Sequence, residues 1–525
     1  MRHERLTPTP AEGTRPDEAR GPRVVVVGAG PGGLATAMMM ARSGARVTVL
    51  EARDRVGGRT SAIEDQGFRF DLGPTFFLYP KILSEIFESC GERLEDHVEL
   101  KRLDPMYDIV FESGGAIRAS ADPEALKREV ARISPRDAEH VEAYLADNAK
   151  KFDRFYPILE RPFFGLGSWF KRDILRALPM FRPWATVDQD LGRHFEDPRV
   201  RLAFSFQSKY LGMSPFKCPS LFTILAHVEY GHGVFHPVGG CAALLEAMAR
   251  VATKMGVDIR LADGVEAMLF DGDRAAGVRA RSGVYPADAV VVNADFANAM
   301  QRLVPDEKRR RWSNRKLAKK RYSCSTFMLY LGLKGTVDSL GHHTINLSED
   351  YLGNLRDIEE HRAPEDPTIY VQNACVTDPT LAPEGCSTLY VLAPVGNQEG
   401  GTDWAALAPQ YRKKVLARLE KLGVTDIENR IVTERMVTPA DWESDLSIYR
   451  GATFNLAHNL GQMLHLRPQN RFEELDGVYL TGGGTHPGSG LPTIFESARI
   501  TSRLMAEDLD LEAAPAAKSL AGMPA

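Results

Sequence analysis

Cysteine is scarce in this 525-residue chain, and no two cysteines form a C-x-x-C pair. The six cysteines are scattered between Cys90 and Cys386. This spacing argues against a disulfide framework, a zinc ribbon or an iron–sulfur cluster, and it suits a reducing compartment such as the cytoplasm. The chain also lacks any stretch of about 18 apolar residues, so we expect no transmembrane helix.

Strong charge and metal-binding patterns are absent too. The formal net charge of −5 is small for this length, so nucleic acid is not an expected partner. His227, His232, His236 and the adjacent His342 and His343 have no matched carboxylates at helical spacing, so we predict no metal site. The chain contains no G-x-S-x-G, H-E-x-x-H or P-loop motif.

The stretch from Arg23 to Arg42 has the order of a dinucleotide-binding unit. A β-branched run, Arg23–Val27, predicts a buried parallel strand. A G-x-G-x-x-G fingerprint follows, with the glycines Gly28, Gly30 and Gly33, and Gly32 lies within it. These glycines allow a tight turn, close approach of the backbone to a pyrophosphate, and close packing of helix on strand. An apolar helix up to Arg42 completes the unit.

The continuation favours FAD over NAD. Glu51 ends the second strand, where a carboxylate accepts hydrogen bonds from ribose hydroxyls. Gly57, Gly58 and Arg59 then form a loop that can fold over the diphosphate, which the arginine can neutralise. Arg53 could instead serve an NADP phosphate, but Glu51 would repel that group. Because no second fingerprint is present, the pattern indicates a one-flavin oxidase or dehydrogenase that passes electrons to oxygen or a quinone.

A second glycine-rich loop lies near the C-terminus. A strand at 478–481 leads into Gly482–Gly484 and then the segment 485–492. We predict a helix over 493–509 that begins with a capping box of Thr493 and Glu496. The N-terminus of this helix could stabilise the negative charge of a reduced flavin. The alternative is a purely structural strand–turn–helix.

Two stretches in the middle of the chain allow opposite interpretations. Residues 152–184 interleave aromatic and basic side chains, which fits either a lipid interface or an aromatic helical core with snorkelling arginines. Residues 302–321 are rich in Lys and Arg, which fits either a solvated helix or a surface for anionic lipids. Between them, 257–261, 265–270 and 276–280 predict an antiparallel meander, and 289–293 predicts a buried strand.

Several motifs together carry a family resemblance. They are VVVVGAGPGGLATAMMMARSGARVTVLEARDRVGGR (24–59), FDLGPT (70–75), FHPVGG (235–240), YSCSTFMLYLGL (322–333), HHTI (342–345), VTDPTLAPEGCSTLYVLAPV (376–395) and GVYLTGGGTHPGSGLPTIFESA (477–498). The chain resembles the bacterial-type phytoene desaturase family of the flavin-containing amine oxidase superfamily. One departure is Val238, where many relatives carry arginine.

The resemblance implies an α/β fold of the amine oxidase and GDP-dissociation-inhibitor type. This fold has a Rossmann-like FAD-binding domain, an interleaved substrate domain and a helical, membrane-facing lobe. It also implies a non-covalent FAD. The implied FAD-binding residues are Gly28, Gly30, Gly32, Gly33, Glu51, Gly58, Arg59, Gly73, Pro74, Thr75, Val265, Gly484, Thr485, Gly490, Leu491 and Pro492.

The expected domain division follows from the motifs. Residues 22–80, 233–300 and 470–510 would form the FAD-binding domain. Residues 81–232 would form the helical lobe, and 301–469 the α+β substrate domain. Residues 1–21 and 511–525 lack an apolar core pattern, and we expect them to be disordered tails.

The expected function is FAD-dependent desaturation of a C40 or C30 carotenoid precursor by hydride transfer to flavin. A carotenoid isomerase or oxygenase, or a prenyl- or lipid-binding carrier, are the alternatives. His486 is the ionisable side chain of the flavin loop, and it is a candidate for proton handling or for structural support. The expected partners are an apolar polyene, an electron acceptor and the cytoplasmic face of a membrane, with which the protein would associate peripherally.

Overall fold

The structure is a computed structural model that describes residues 21–515. Of the tails predicted at 1–21 and 511–525, residues 1–20 and 516–525 lie outside the described residues. Within the described part, Leu511 and Ala514 pack against the core, so the predicted C-terminal tail begins too early. The strands are β1 Arg23–Val27, β2 Arg46–Leu50, β3 Ala62–Asp65, β4 Phe68–Asp71, β5 Phe77–Leu78, β6 Leu100–Leu103, β7 Tyr107–Phe111, β8 Ala116–Ala119, β9 Val234–Pro237, β10 Asp258–Arg260, β11 Val265–Asp271, β12 Arg274–Ala280, β13 Gly283–Pro286, β14 Ala289–Val292, β15 Ser325–Lys334, β16 His343–Leu347, β17 Ile369–Gln372, β18 Cys386–Val395, β19 Ile431–Val437 and β20 Val478–Leu480.

The α-helices lie between and around these strands. They are α1 Pro31–Arg42, α2 Lys81–Ser89, α3 Pro123–Ala131, α4 Pro135–Ala138, α5 Val141–Leu159, α6 Arg172–Phe181, α7 Val187–Leu191, α8 Pro198–Phe204, α9 Ile224–Tyr230, α10 Cys241–Lys254, α11 Phe296–Leu303, α12 Asn314–Leu317, α13 Tyr351–Glu359, α14 Trp404–Lys421, α15 Ile427–Arg430, α16 Pro439–Leu446 and α17 Leu491–Asp508.

A five-stranded parallel sheet in the order β10-β2-β1-β14-β20 forms the first layer. Its central strands are buried on both faces because alternate side chains enter two different cores. Val24 and Val26 pack with α1, α10 and α17, whereas Val25 and Val27 pack with Phe296 and the hairpin strands. This is the two-sided burial expected of continuous β-branched runs in a parallel sheet. The sheet thus joins segments from both ends of the chain.

A seven-stranded mixed sheet in the order β19-β15-β18-β17-β16-β7-β8 forms the second layer. Its long strands β15 and β18 pair antiparallel over ten residues each, and α14 packs on one face. Strands β7 and β8 lie in the region where the sequence favours helices. β7 pairs parallel with β16, so the segment 81–232 contributes two strands to this sheet as well as helices.

Three local predictions differ from the structure. β10 does not belong to the meander, because it pairs parallel with β2 at the edge of the first sheet; the meander is β11–β13. The capping box at Thr493 does not form: α17 begins at Leu491 after Gly490, and the Thr493 hydroxyl donates to carbonyls of residues 488–490. The basic stretch 302–321 is not one solvated helix, because Arg309 and Trp312 are fully buried.

The aromatic stretch 152–184 divides between core and surface. Phe152, Phe155 and Phe163 are buried in the helical lobe. By contrast, Phe170 and Trp184 are each 76% exposed, and Phe164 and Leu175 are also exposed. The side chains of Trp169 and Phe181 lie outside what the structure describes. The core interpretation is therefore confirmed for the buried part of the stretch, and the lipid-interface interpretation stays a prediction for the exposed part.

Candidate active site

A cavity of about 1150 Å³ lies between the two sheets and the helical lobe. The structure brings twelve of the predicted FAD-binding residues to its wall, although they come from distant parts of the chain. They are Gly28, Gly30, Glu51, Gly58, Arg59, Gly73, Pro74, Thr75, Val265, Gly490, Leu491 and Pro492.

The turn from β1 into α1 forms one edge of the cavity. Gly28 has a φ of +97°, and a Cβ there would lie 2.5 Å from the Asn293 carbonyl oxygen. α1 begins after Gly30 with no side-chain cap and no acidic residue in its first turn, so its N-terminus is open to an anion. Gly32 and Gly33 do not line the cavity. They let α1 lie against the sheet, since a Cβ on Gly33 would lie 2.2 Å from the Gly28 carbonyl oxygen.

Glu51 lies at the end of β2, as its position in the sequence predicts. Its Oε2 accepts a hydrogen bond of 2.8 Å from the Ala29 N–H, and its Oε1 accepts one of 3.0 Å from the Arg53 N–H. These bonds fix the buried carboxylate beside the turn between β1 and α1. Each carboxylate oxygen has a further lone pair, so Glu51 can still accept hydrogen bonds from hydroxyl groups in the cavity.

Arg59 reaches across the cavity to the second half of the chain. Its Nη1 donates to the Thr453 carbonyl at 2.7 Å. With the Asn455 amide oriented to satisfy both of its polar atoms, the Asn455 amide oxygen also accepts from Arg59 Nη1 at 3.1 Å. Burial lowers the pKa of Arg59, while the Asp295 carboxylate raises it. The guanidinium is thus held at the wall, with the buried Asp295 carboxylate nearby.

The N-terminus of α17 forms the opposite edge. Gly490 has a φ of +108°, and no side chain caps this 18-residue helix. In the preceding loop, Gly482 and Gly483 line the cavity, whereas the predicted Gly484 and Thr485 do not. A Cβ on Gly484 would lie 2.8 Å from Phe296 Cβ, so Gly484 serves packing. Two uncapped helix N-termini, those of α1 and α17, therefore border one cavity.

His486 is fully buried and does not line the cavity. Its Nε2 lies 2.9 Å from the Arg161 carbonyl oxygen, which ties the glycine-rich loop to the helical lobe. Burial, with a smaller contribution from the nearby Arg467 guanidinium, lowers the pKa of His486 to about 4. This arrangement fits structural support of the loop, and it separates His486 from the space where a substrate would lie.

The Gly73–Thr75 turn is held by tyrosines of the second sheet. The Tyr390 hydroxyl donates to the Gly73 carbonyl at 2.8 Å. The hydroxyls of Thr75 and Tyr370 lie 2.6 Å apart, and Tyr370 also lies 2.9 Å from His343 Nδ1. Burial lowers the pKa of His343 well below its usual value, so this contact is between neutral groups.

The sequence analysis missed a group of polar residues that follow β14. Asn293, Asp295 and Asn298 line the cavity, and the Asn293 amide donates to the Gly28 carbonyl at 3.1 Å. A signal for them was available, because ligands of parallel sheets bind at the carboxyl ends of the strands. Polar residues directly after the AVVV run were therefore candidates.

The remaining wall is largely apolar. It is formed by side chains of the helical lobe, of β16 and of α13, namely Leu78, Tyr79, Ile82, Phe152, Tyr156, Leu159, Phe206, Leu225, Val228, Ile345, Leu347, Tyr351, Leu355 and Ile358. The charged residues Lys209, Lys217, Glu359 and Glu496 also line the cavity, and the Lys209 ammonium lies 5.2 Å from the centre of the Tyr351 ring. Burial lowers the pKa of Lys209 to about 8. A long hydrocarbon matches such a wall better than a polar substrate does.

The polar half of the cavity fits a flavin dinucleotide. Arg53 Nη1 and Thr453 Oγ1 are buried wall atoms that find no hydrogen-bond partner among the described residues. A bound diphosphate and ribitol offer acceptors and hydroxyls of the kind that such orphaned groups require. The open N-termini of α1 and α17 suit the diphosphate and the ring edge respectively.

Within residues 21–515, no helix combines the length and the apolar character needed to cross a bilayer. In the same part of the chain, no group of three or more His, Cys, Asp or Glu side chains is arranged to hold a metal ion.

Comparison with known proteins agrees with this geometry. The family model for flavin containing amine oxidoreductase matches residues 31–506. A 4,4'-diapophytoene desaturase of Methylomonas sp. is 42% identical over 92% of this chain and 95% of its own length. The chain belongs to this flavin enzyme family, within its phytoene desaturase branch.

Other members of the branch show the same extent of similarity. A zeta-carotene-forming phytoene desaturase of Myxococcus xanthus is 38% identical over 93% of this chain and 94% of its own length. Among solved structures, a putrescine oxidase variant superposes with a TM-score of 0.60 at 17% identity, covering 93% of this chain and 98% of that protein. The structural likeness extends to the whole fold, and it confirms the predicted amine oxidase-like α/β class.

Proposed function

We propose that the protein is an FAD-dependent desaturase that forms conjugated double bonds in a C30 or C40 polyisoprenoid. The observation that carries the proposal is one cavity with two unlike halves. Its polar half is bordered by the N-termini of α1 and α17 and by the side chains of Glu51 and Arg59. Its other half is apolar. The named relatives act on such hydrocarbons.

When bound, the flavin supplies the acceptor for a hydride and its electron pair. The protein's part is to bind and orient. Glu51 and Arg59 would hold the adenosine diphosphate half, and Thr75 with Tyr370 would border the ring. The apolar wall orders the flexible hydrocarbon substrate and excludes water, so that one pair of its carbons would lie against the reacting edge of the flavin. The expected product is the polyene with one more double bond.

We also propose that the substrate enters from a membrane surface. The wall residues Phe152, Tyr156 and Leu159 lie on α5, and the chain continues from α5 into the exposed residues Phe164 and Phe170. Exposed Lys171, Arg172 and Arg176 flank these aromatics, which suits contact with anionic headgroups. Peripheral association with the cytoplasmic face and electron transfer to oxygen or a quinone complete the proposal.

The test uses the purified holoprotein with phytoene or with dehydrosqualene in liposomes. We expect flavin-dependent products that have lost pairs of hydrogens, detected by mass spectrometry, and absorption that moves to longer wavelength. The control is Gly30→Val, because a Cβ there approaches Asn293 Nδ2 to 3.0 Å and further atoms would close the cradle. Products of unchanged mass would indicate an isomerase, and added oxygen would indicate an oxygenase. A protein that binds both hydrocarbons and converts neither would be a carrier.

A further inference from the structure

An isolated positive charge lies in the apolar part of the cavity wall. The side chain of Lys209 lines the cavity and is half-buried. Within residues 21–515, its ammonium makes no hydrogen bond and no ion pair, and its contact is with the Tyr351 ring at 5.2 Å. The nitrogen keeps accessible surface, because the unpartnered polar atoms of that range that are sealed from solvent do not include it. A molecule in the cavity can therefore reach this ammonium.

The neighbours of Lys209 do not neutralise its charge. The titratable groups that act on the ammonium are Cys324, which precedes β15, and Glu359 of α13. Burial raises the pKa of the Cys324 thiol to about 11, so this thiol is neutral at physiological pH. The Glu359 carboxylate is bound by the exposed Lys217. Lys209 is therefore left with one aromatic face, and burial lowers its pKa to about 8.

A charge in this position calls for an acceptor that the protein does not supply. An ammonium that leaves water for an apolar site loses free energy unless an anion or a hydrogen-bond acceptor replaces the water. One aromatic face returns only part of that loss. A pure hydrocarbon offers no acceptor and would displace the water that still solvates the nitrogen. The surrounding wall is apolar, with Leu347, Leu355 and Ile358, so the matching ligand is a hydrocarbon chain with one anionic end.

We propose that the cavity takes a polyisoprenoid chain that ends in a carboxylate, and that Lys209 binds this end group. The inference rests on the proposed function and narrows its substrate class. An anchored end fixes the register of the chain against the flavin, so desaturation would begin at a set distance from the carboxylate. A hydrocarbon of the same length would still enter, but without a fixed register. A reaction that oxidises the end of the chain must then supply this substrate.

The test compares an apocarotenoic acid with its own methyl ester, which keeps the carbon chain and removes the charge. The holoprotein is titrated with each compound, and binding is followed by quenching of tryptophan fluorescence, since Trp442 lies in the cavity wall. At pH 7 we expect the acid to bind roughly tenfold more tightly than the ester, as a hydrogen bond between charged groups provides. Raising the pH to 10 should remove this preference, because the neutral amine no longer attracts a carboxylate.

Substitutions of Lys209 separate its charge from its packing. Lys209→Met keeps an apolar stem of similar length, so the preference for the acid should disappear while the affinity for the ester is unchanged. Lys209→Arg should retain the preference. Lys319→Met is the matched control, because Lys319 also lines the cavity and carries the same charge, and its loss should leave the preference intact. The pH series on the wild type decides the question if Lys209→Met does not fold.

The outcomes distinguish this inference from the proposed function. A preference for the acid that survives in Lys209→Met, or that disappears in Lys319→Met instead, would overturn the inference. Equal affinity of the wild type for acid and ester would do the same, and conversion of phytoene or dehydrosqualene would then leave the proposed function standing. Conversely, a preference that Lys209→Met abolishes, together with no loss of hydrogen from any polyene, would support the end-group site and overturn the desaturase proposal.

Discussion

Single buried carboxylates hold distant segments of this protein together, and Asp378 shows how. Its oxygens accept hydrogen bonds from His236 Nε2 at 3.1 Å, from the Gly239 N–H at 2.7 Å and from Thr380. Burial raises the pKa of Asp378, but these hydrogen bonds outweigh burial and leave the pKa well below its usual value. The folded state therefore favours the ionised carboxylate.

The consequence is a pH-dependent contribution to stability. Because the folded-state pKa is depressed, the contribution is present above about pH 4 and is lost as pH falls below the unfolded-state value. Asp378→Asn should lower the free energy of unfolding at pH 7 by about 1–3 kcal/mol and flatten its decline in acid. Denaturant melts at several pH values measure both effects. Glu365→Gln, at an exposed ion pair, should change stability by less than about 1 kcal/mol; an equal loss in both variants would contradict this account.

At the scale of elements, burial divides the aromatic stretch into a covered part and an exposed part. Phe152, Phe155 and Phe163 are core residues, whereas Phe170 and Trp184 flank α6 on the surface. Sequence periodicity could not make this division, because aromatic side chains alternate with basic ones throughout the stretch. The packing of α5 against α9 and the contacts of Phe163 with His465 and His486 decide which rings are covered.

Substitution of the exposed rings tests the membrane contact. The double variant Phe170→Ser and Trp184→Ser should bind anionic liposomes at least tenfold more weakly, since each ring contributes on the order of 1.5–3 kcal/mol when buried. Its melting temperature should stay within about 2 °C of the wild type, because both side chains are exposed. Vesicle co-sedimentation measures binding. Val284→Ser with Leu352→Ser, which alters two other exposed apolar side chains, should leave binding unchanged; equal binding by all three proteins would exclude this surface.

The whole molecule is closed around its cavity, so flavin should stabilise it as a unit. The cavity wall includes residues from β1 near the N-terminus to α17 near the C-terminus. A ligand that binds only the folded state at a hundredfold excess over its Kd contributes about 2.7 kcal/mol. The melting temperature, measured at increasing FAD concentration, should therefore rise steadily. The melting temperature of Gly30→Val should not change with FAD concentration. A wild-type melting temperature that is independent of FAD would argue against the site.

Much of this architecture could be predicted from the chain itself. The strand β1, the glycines and Glu51 lie in one local segment, and local order is what sequence patterns report. The wall residues Asn293 and Tyr370 were missed because their roles arise from strand order and from contacts across hundreds of residues. The start of α17 was misplaced for a related reason: Gly490, with its left-handed φ, ends the loop before Thr493 could cap the helix.

β20 pairs with β14 in the first sheet, and α17 packs against β20 and α1. This late completion of the first layer has a consequence for biosynthesis. A ribosome releases the Rossmann-like strand β1 hundreds of residues before it releases the helix that completes the cofactor pocket. The nascent chain must therefore remain able to fold until the last segment emerges. Its apolar core residues must be protected from aggregation during that time. Chains that terminate early at about residue 475 should be colourless and captured by chaperones, whereas the full-length product should acquire its yellow colour only after release.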